Sequence, residues 1–153
     1  MKDTLVISGF PGVGKSHLYQ TNEKLAVLDS DSSRFSWINL VRNPQFPDNY
    51  MRHIKNNLGF VDNILISSHD VVRKALKENN LNYVLVYPSI DLKEEYIERY
   101  KSRGSSKDFI EHIENNWEKY ILEIEKETFP KLLRLESGQY LKDALEAHYL
   151  GLI

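Results

Sequence analysis

The stretch that most constrains the fold lies close to the N-terminus: Leu5-Val6-Ile7-Ser8-Gly9-Phe10-Pro11-Gly12-Val13-Gly14-Lys15-Ser16. An apolar run ends in the spacing G-x-x-x-x-G-K-S, with Gly9, Gly14, Lys15 and Ser16 at the fixed positions. Glycines let a backbone wrap an anion with successive N–H groups turned inward. A helix that starts at the loop presents the positive end of its dipole to the same anion. The spacing therefore predicts a strand, a phosphate-binding turn and a helix from about residue 15 to 19. Lys15 then reaches the β- and γ-phosphates of a nucleoside triphosphate, and the Ser16 hydroxyl ligates Mg²⁺. The nucleotide-binding set is Gly9, Gly12, Val13, Gly14, Lys15, Ser16 and His17.

The rest of the chain supplies partners for such a strand. Short apolar runs recur at 4–8, 25–28, 63–67, 83–87 and 132–135. Between them apolar residues step at helical spacing: Tyr50, Ile54 and Leu58; Val72 and Leu76; Leu92, Tyr96 and Tyr100. A longer series, Ile110, Ile113, Trp117, Ile121 and Ile124, predicts an amphipathic helix over 108–128, and Leu141, Leu145 and Tyr149 a closing one. Five strands alternating with helices mean βαβ units and a parallel sheet covered on both faces. No repeat, low-complexity tract or linker divides the 153 residues, so one domain is expected.

Composition narrows the partners. A formal charge of −2 leaves no broad basic surface for long nucleic acid. The absence of cysteine excludes disulfides, thiolate zinc sites and cysteine nucleophiles. No apolar run is long enough for a membrane span, and the short N-terminal one leads straight into the glycine-rich turn, unlike a signal peptide. A cytoplasmic enzyme with no membrane partner is the expectation.

Ligands of parallel sheets bind beyond the carboxyl ends of the strands, so residues there carry the chemistry. Asp29 and Asp31 follow the second run. One carboxylate can hold Mg²⁺ beside Ser16, the role assigned to Asp29. The other can orient or deprotonate an acceptor hydroxyl, the role assigned to Asp31. Asp31-Ser32-Ser33 is equally a good helix cap, and which carboxylate faces the metal stays open. Arg34 can grip a substrate phosphate, with Phe35 or Trp37 as a stacking surface; the alternative makes the aromatics core and Arg34 solvated. Arg99 and Arg103 share one helix face just before Gly104-Ser105-Ser106. They suit a lid that clamps transferring phosphates, or an ordinary surface helix with pairs such as Glu95–Arg99. Ser67, Ser68 and His69 end the third run and can hydrogen-bond a transferring group; His69 reads as well as a cap. No two histidines have metal-ligand spacing.

Through Gly9–Ser16, Leu28-Asp29-Ser30-Asp31 and the run from Tyr96 through Arg99 and Arg103 to Gly104, the chain resembles small P-loop kinases of the nucleoside monophosphate kinase and shikimate/gluconate kinase group. It is similar in particular to short nucleotide-kinase-like proteins of phages and prophages. The resemblance implies a three-layer α/β/α fold with a five-stranded parallel sheet in the order 2-3-1-4-5. It also implies ATP with Mg²⁺, and a short lid at about 99–108. Catalytic roles fall on Lys15, Asp31, Arg99 and Arg103. The segment 31–60 would take the phosphoryl acceptor, with Asp31, Arg34, Trp37, Arg42 and Arg52 as its candidates. There is no full-sized lid insertion. Asp31-Ser32-Ser33-Arg34 also resembles the aspartate and arginine of polynucleotide 5′-kinases.

The expected function is transfer of the γ-phosphoryl group of ATP to a small molecule, a (deoxy)nucleoside monophosphate first. A polynucleotide 5′-hydroxyl kinase is the alternative in which nucleic acid enters only as an end. A hydrolytic switch or a nucleotide-binding regulator without turnover is the alternative without an acceptor. Against the switch, Ile64-Leu65-Ile66-Ser67-Ser68 lacks the terminal carboxylate of a hydrolytic Walker B strand.

Overall fold

The computed structural model describes residues 3–15, 18, 27–30, 32–38 and 40–151. The apolar run before the glycine-rich turn is strand β1 (Leu5–Gly9). It pairs in parallel with β5 (Asn63–Ser67) on one side and β6 (Val84–Pro88) on the other. β2 (Val27–Asp29) and β7 (Lys131–Leu135) complete the sheet in the order β2-β5-β1-β6-β7. Two strands that sequence reading did not anticipate, β3 (Trp37–Ile38) and β4 (Val41–Arg42), form a separate antiparallel hairpin. They are two residues each and exposed, too short to show an alternating pattern. Their presence is why numbering along the chain departs from the expected 2-3-1-4-5: the strand at 63–67 still lies between those at 27–29 and 5–9.

Every residue of β6 and four successive residues of β5 are buried. Adjacent strand residues point to opposite faces, so runs of this kind require cover on both sides. Helices α1 (Ser33–Ser36), α2 (Asp48–Asn57), α3 (Asp70–Glu78), α4 (Lys93–Ser102), α5 (Lys107–Glu125) and α6 (Leu141–Tyr149) supply it. The backbone is helical again at Lys15 and Leu18, where the Leu18 N–H donates to Gly14 O at 3.1 Å. None of the helices described is long and apolar enough to cross a membrane.

α4 and α5 matter most for the site. Gly104, at φ +78°, ends α4, and its N–H returns to Lys101 O at 3.1 Å. Ser106 caps α5, its hydroxyl accepting from the Phe109 N–H at 3.1 Å. α5 buries Ile113, Trp117, Ile121 and Ile124, the stripe its periodicity predicts. Trp117 meets Phe10 edge-to-face at 5.5 Å and Tyr96 at 5.6 Å, and its indole N–H donates to Ile90 O at 2.8 Å. Tyr96, Tyr100 and Phe109 extend this aromatic cluster, which seats the end of β1 against both helices.

Candidate active site

The turn after β1 is built by its own residues. Pro11 and Gly12 occupy the centre of a turn closed by the Val13 N–H on Phe10 O at 3.2 Å. Proline followed by glycine at positive φ is the requirement of a type II turn, and Gly12 has φ +92°. Gly14 follows at φ +102°. The glycines are also needed for space: a methyl at Gly9 would lie 3.0 Å from Val13 and Lys15, and one at Gly14 would lie 3.2 Å from the Tyr140 ring. Lys15 folds back over the turn and its Nζ donates to Gly9 O at 2.6 Å. This glycine cradle, with its lysine and a helix starting behind it, is chemically suited to a triphosphate.

A cavity of about 1240 Å³ opens from the turn, walled by α4 and α5 and floored by the ends of β2 and β5. Single-ligand pockets run to roughly 1000 Å³, so the space accommodates a donor and a small acceptor together. Lys15, Asp29, Ser68, His69, Arg99 and Arg103 all line it.

Asp29 is the last residue of β2, and the chain just beyond it is held on three sides. The Ser30 N–H donates to Leu65 O at 2.9 Å, its carbonyl accepts from Tyr50 Oη at 2.5 Å, and its hydroxyl pairs with His53 Nε2 at 2.9 Å. Burial lowers the His53 pKa and favours the neutral ring. At the end of β5, Ser67 Oγ donates to Ser32 Oγ and Ser8 Oγ to Ser67 O, each at 2.9 Å. Arg73 donates Nε to Ser68 O at 2.9 Å and Nη1 to Glu127 Oε1 at 2.7 Å.

The α4 wall carries both arginines singled out above, in different environments. The Arg99 guanidinium lies between the rings of Tyr96 and Tyr140, 4.3 and 3.9 Å from their centres. It donates to Gly12 O at 2.9 Å, Gln139 O at 2.9 Å and Glu95 Oε2 at 3.1 Å. Glu95 also accepts from Ser137 Oγ at 2.6 Å and the Gly138 N–H at 3.2 Å. The Ser137 bond, then the Gly138 N–H and Arg99, hold its carboxyl below the usual range. Arg103 donates to Ser105 Oγ at 2.9 Å and lies 5.0 Å from the centre of Tyr100; among the described residues it has no carboxylate partner.

The structure thus gathers Gly9, Gly12, Gly14, Lys15, Asp29, Arg99 and Arg103 around one cavity. Val13 is buried behind the turn. Arg34, Trp37 and Arg42 do not line the cavity; Arg34 is exposed, and the Arg42 guanidinium lies 4.1 Å over the half-exposed Trp37 ring on the hairpin. Ser16, His17 and Asp31 lie outside the described residues. Sequence reading missed Arg73, Tyr140 and the His112–Tyr120 pair, joined at 2.7 Å on the α5 wall. Their helical and core-like spacing gave no signal of a place beside a ligand. No group of three or more His, Asp or Glu suited to a metal occurs among the described residues. Mg²⁺ in a phosphate site needs only one or two protein oxygens, the rest coming from phosphate and water, and the Asp29 carboxylate on the cavity wall is of the kind that ion takes.

No protein-family model matches the chain, and no curated protein matches it either. Among solved structures, the chain is similar to a gluconokinase from Sinorhizobium meliloti 1021, with a TM-score of 0.52 and 15% identity over 98% of this chain and 91% of that one. At that identity the likeness is one of fold alone, that of the α/β domain and five-stranded parallel sheet described above.

Proposed function

We propose that this protein is an ATP-dependent phosphotransferase acting on a small-molecule hydroxyl or phosphate acceptor. The observation that carries the reading is the opening of the Gly9–Lys15 turn into one cavity with Asp29 and the end of β5. The glycine-rich turn, its lysine and a carboxylate then face a common space. The likeness in fold to a gluconokinase supports it. ATP would supply the γ-phosphoryl group, and Mg²⁺ would neutralise charge on the phosphates.

The chain's own residues do the rest. The glycine turn and Lys15 bind the phosphates, and Ser16 with Asp29 holds the metal. Asp31 orients the acceptor and takes its proton as the new phosphorus–oxygen bond forms and the bond to the β-phosphate oxygen breaks, releasing ADP. Lys15 and Arg103 balance the charge on the transferring group. For the acceptor, a (deoxy)nucleoside monophosphate is the first choice on the family resemblance of the sequence, with Arg103 rather than Arg34, Trp37, Arg42 or Arg52 as the arginine that lines the cavity for its phosphate. The gluconokinase likeness favours a polyhydroxy acid as the second choice.

The test is ADP release with ATP and Mg²⁺ across ribo- and deoxynucleoside monophosphates, nucleosides, gluconate, shikimate and 5′-hydroxyl oligonucleotides. Lys15→Ala serves as the blank and is expected to lower turnover at least about a thousandfold while keeping the wild-type circular dichroism. Acceptor-dependent release establishes phosphotransfer and identifies the class. Equal release with every acceptor and with none overturns it in favour of simple hydrolysis.

A further inference from the structure

The phosphate loop does not stand alone at the end of β1; α4 holds it from behind. Two successive loop carbonyls accept hydrogen bonds from two successive α4 residues: Pro11 O from Tyr100 Oη at 2.7 Å, and Gly12 O from Arg99 Nη1 at 2.9 Å. Both side chains are fixed. Tyr100 is fully buried, edge-on to Tyr96 and Phe109. Arg99 is locked between two tyrosine rings and bound to Glu95 and Gln139 O. Glu95 carries the bracing on to the segment after β7 through Ser137 and Gly138.

The consequence follows from peptide geometry. A trans peptide is planar, with its C=O and the next N–H pointing in opposite directions. Holding Pro11 O toward Tyr100 turns the Gly12 N–H away from α4. Holding Gly12 O toward Arg99 sets the neighbouring plane, whose N–H closes the turn on Phe10 O. Anion binding by backbone amides depends on such planes being set before the anion arrives, because no side-chain charge corrects them afterwards.

We propose, on the reading of this loop as a nucleotide site, that Tyr100 and Arg99 are positioning residues for the donor nucleotide. They act on its α- and β-phosphates through the orientation of the 11–13 backbone, and not by touching the γ-phosphoryl group. The sequence left Arg99 either as a lid clamp on the transferring phosphate or as the partner of Glu95 on a surface helix, and the Glu95 pair is present. Clamp and brace differ for a nucleotide with no γ-phosphate: loss of a clamp leaves ADP binding unchanged, whereas loss of a brace on the loop weakens it.

The experiment is calorimetric titration of full-length protein with ADP and Mg²⁺. Tyr100→Phe removes only the hydroxyl, and Arg99→Lys keeps the charge but loses the flat, forked geometry. Each is expected to bind ADP about three- to tenfold more weakly, the size expected for one lost hydrogen bond. In turnover assays KM for ATP should rise by a similar factor, with KM for the acceptor unchanged. Tyr149→Phe is the control: it deletes a hydroxyl bonded to Asn63 Oδ1 at 2.8 Å, away from the cavity lining. If that variant weakens ADP binding as much, or if Tyr100→Phe binds ADP like the parent, the brace is wrong. If Arg99→Lys lowers kcat with ADP affinity unchanged, Arg99 is the clamp. Wild-type protein that binds no ADP at all would instead overturn the nucleotide-site reading.

Discussion

Gly12 shows how one position answers two demands at once. Its φ of +92° is a conformation that residues with a Cβ rarely adopt, and a methyl there would lie 2.9 Å from Tyr100 Cε1 and 3.1 Å from Tyr96 Cδ2. Neither ring has room to retreat, since both are fully buried. Gly12→Ala should therefore combine backbone strain with overpacking and cost about 2–4 kcal/mol. The thermal midpoint would fall by roughly 5–15 °C. Gly104 supplies the comparison: its φ is +78°, but no atom lies within 4 Å of an added methyl, so Gly104→Ala should cost only the strain. Equal melting of the two variants would mean that the tyrosine wall contributes nothing. The glycine itself was legible as part of the glycine-rich turn, although it lies between the motif's two fixed glycines. The wall was not: Tyr96 and Tyr100 sit at core spacing, and spacing cannot tell a buried ring from a buried ring whose hydroxyl holds a loop carbonyl.

Among the elements, α2 fixes the carboxyl end of β2 most directly, because Tyr50 and His53 on adjacent turns both bond Ser30. His53 is held neutral below its ordinary value of 6.5 by burial. As pH falls through that value the unfolded or undocked chain takes up a proton that the docked helix resists. The docked state is thus favoured above about pH 6.5 and loses ground below it. Amide exchange in α2, corrected for the intrinsic pH effect, is expected to quicken between about pH 7.5 and 5.5, and His53→Gln should flatten the trend. A pH-independent α2 would show that the ring does not contribute to docking. Strands at 63–67 and in the centre of the sheet were readable as continuous apolar runs, and α5 as a long stripe, because burial on two faces or along one face leaves a periodic trace. The hairpin left none. The bonds that Ser30 makes were equally invisible, since a serine between two aspartates gives no hint of a tyrosine and a histidine arriving from a helix twenty residues on.

The whole molecule rests on tyrosines that must stay neutral. Burial raises the pKa of Tyr83, Tyr96 and Tyr100, that of Tyr96 up to about 12. The unfolded chain releases these protons near pH 10, whereas the folded one retains them. Above that value the unfolded state binds fewer protons, so stability falls as pH rises and is intact below it. Loss of helical circular dichroism should then coincide with the last part of the near-ultraviolet phenolate change, that of the buried rings. Phenolate formation for all the tyrosines ahead of any loss of helix would mean that the three rings are open to water. At this scale the sequence was most informative, because an apolar strand leading into a glycine-rich turn of this spacing is expected inside a parallel sheet with its carboxyl edge open. The placement of the two tryptophans at opposite extremes, Trp37 at 44% exposure on the hairpin and Trp117 at 1% against Phe10, has an optical consequence. The two indoles emit from different media, water-facing and apolar, so their fluorescence separates by colour: the blue component reports the seat of the glycine-rich turn, and the red one the hairpin.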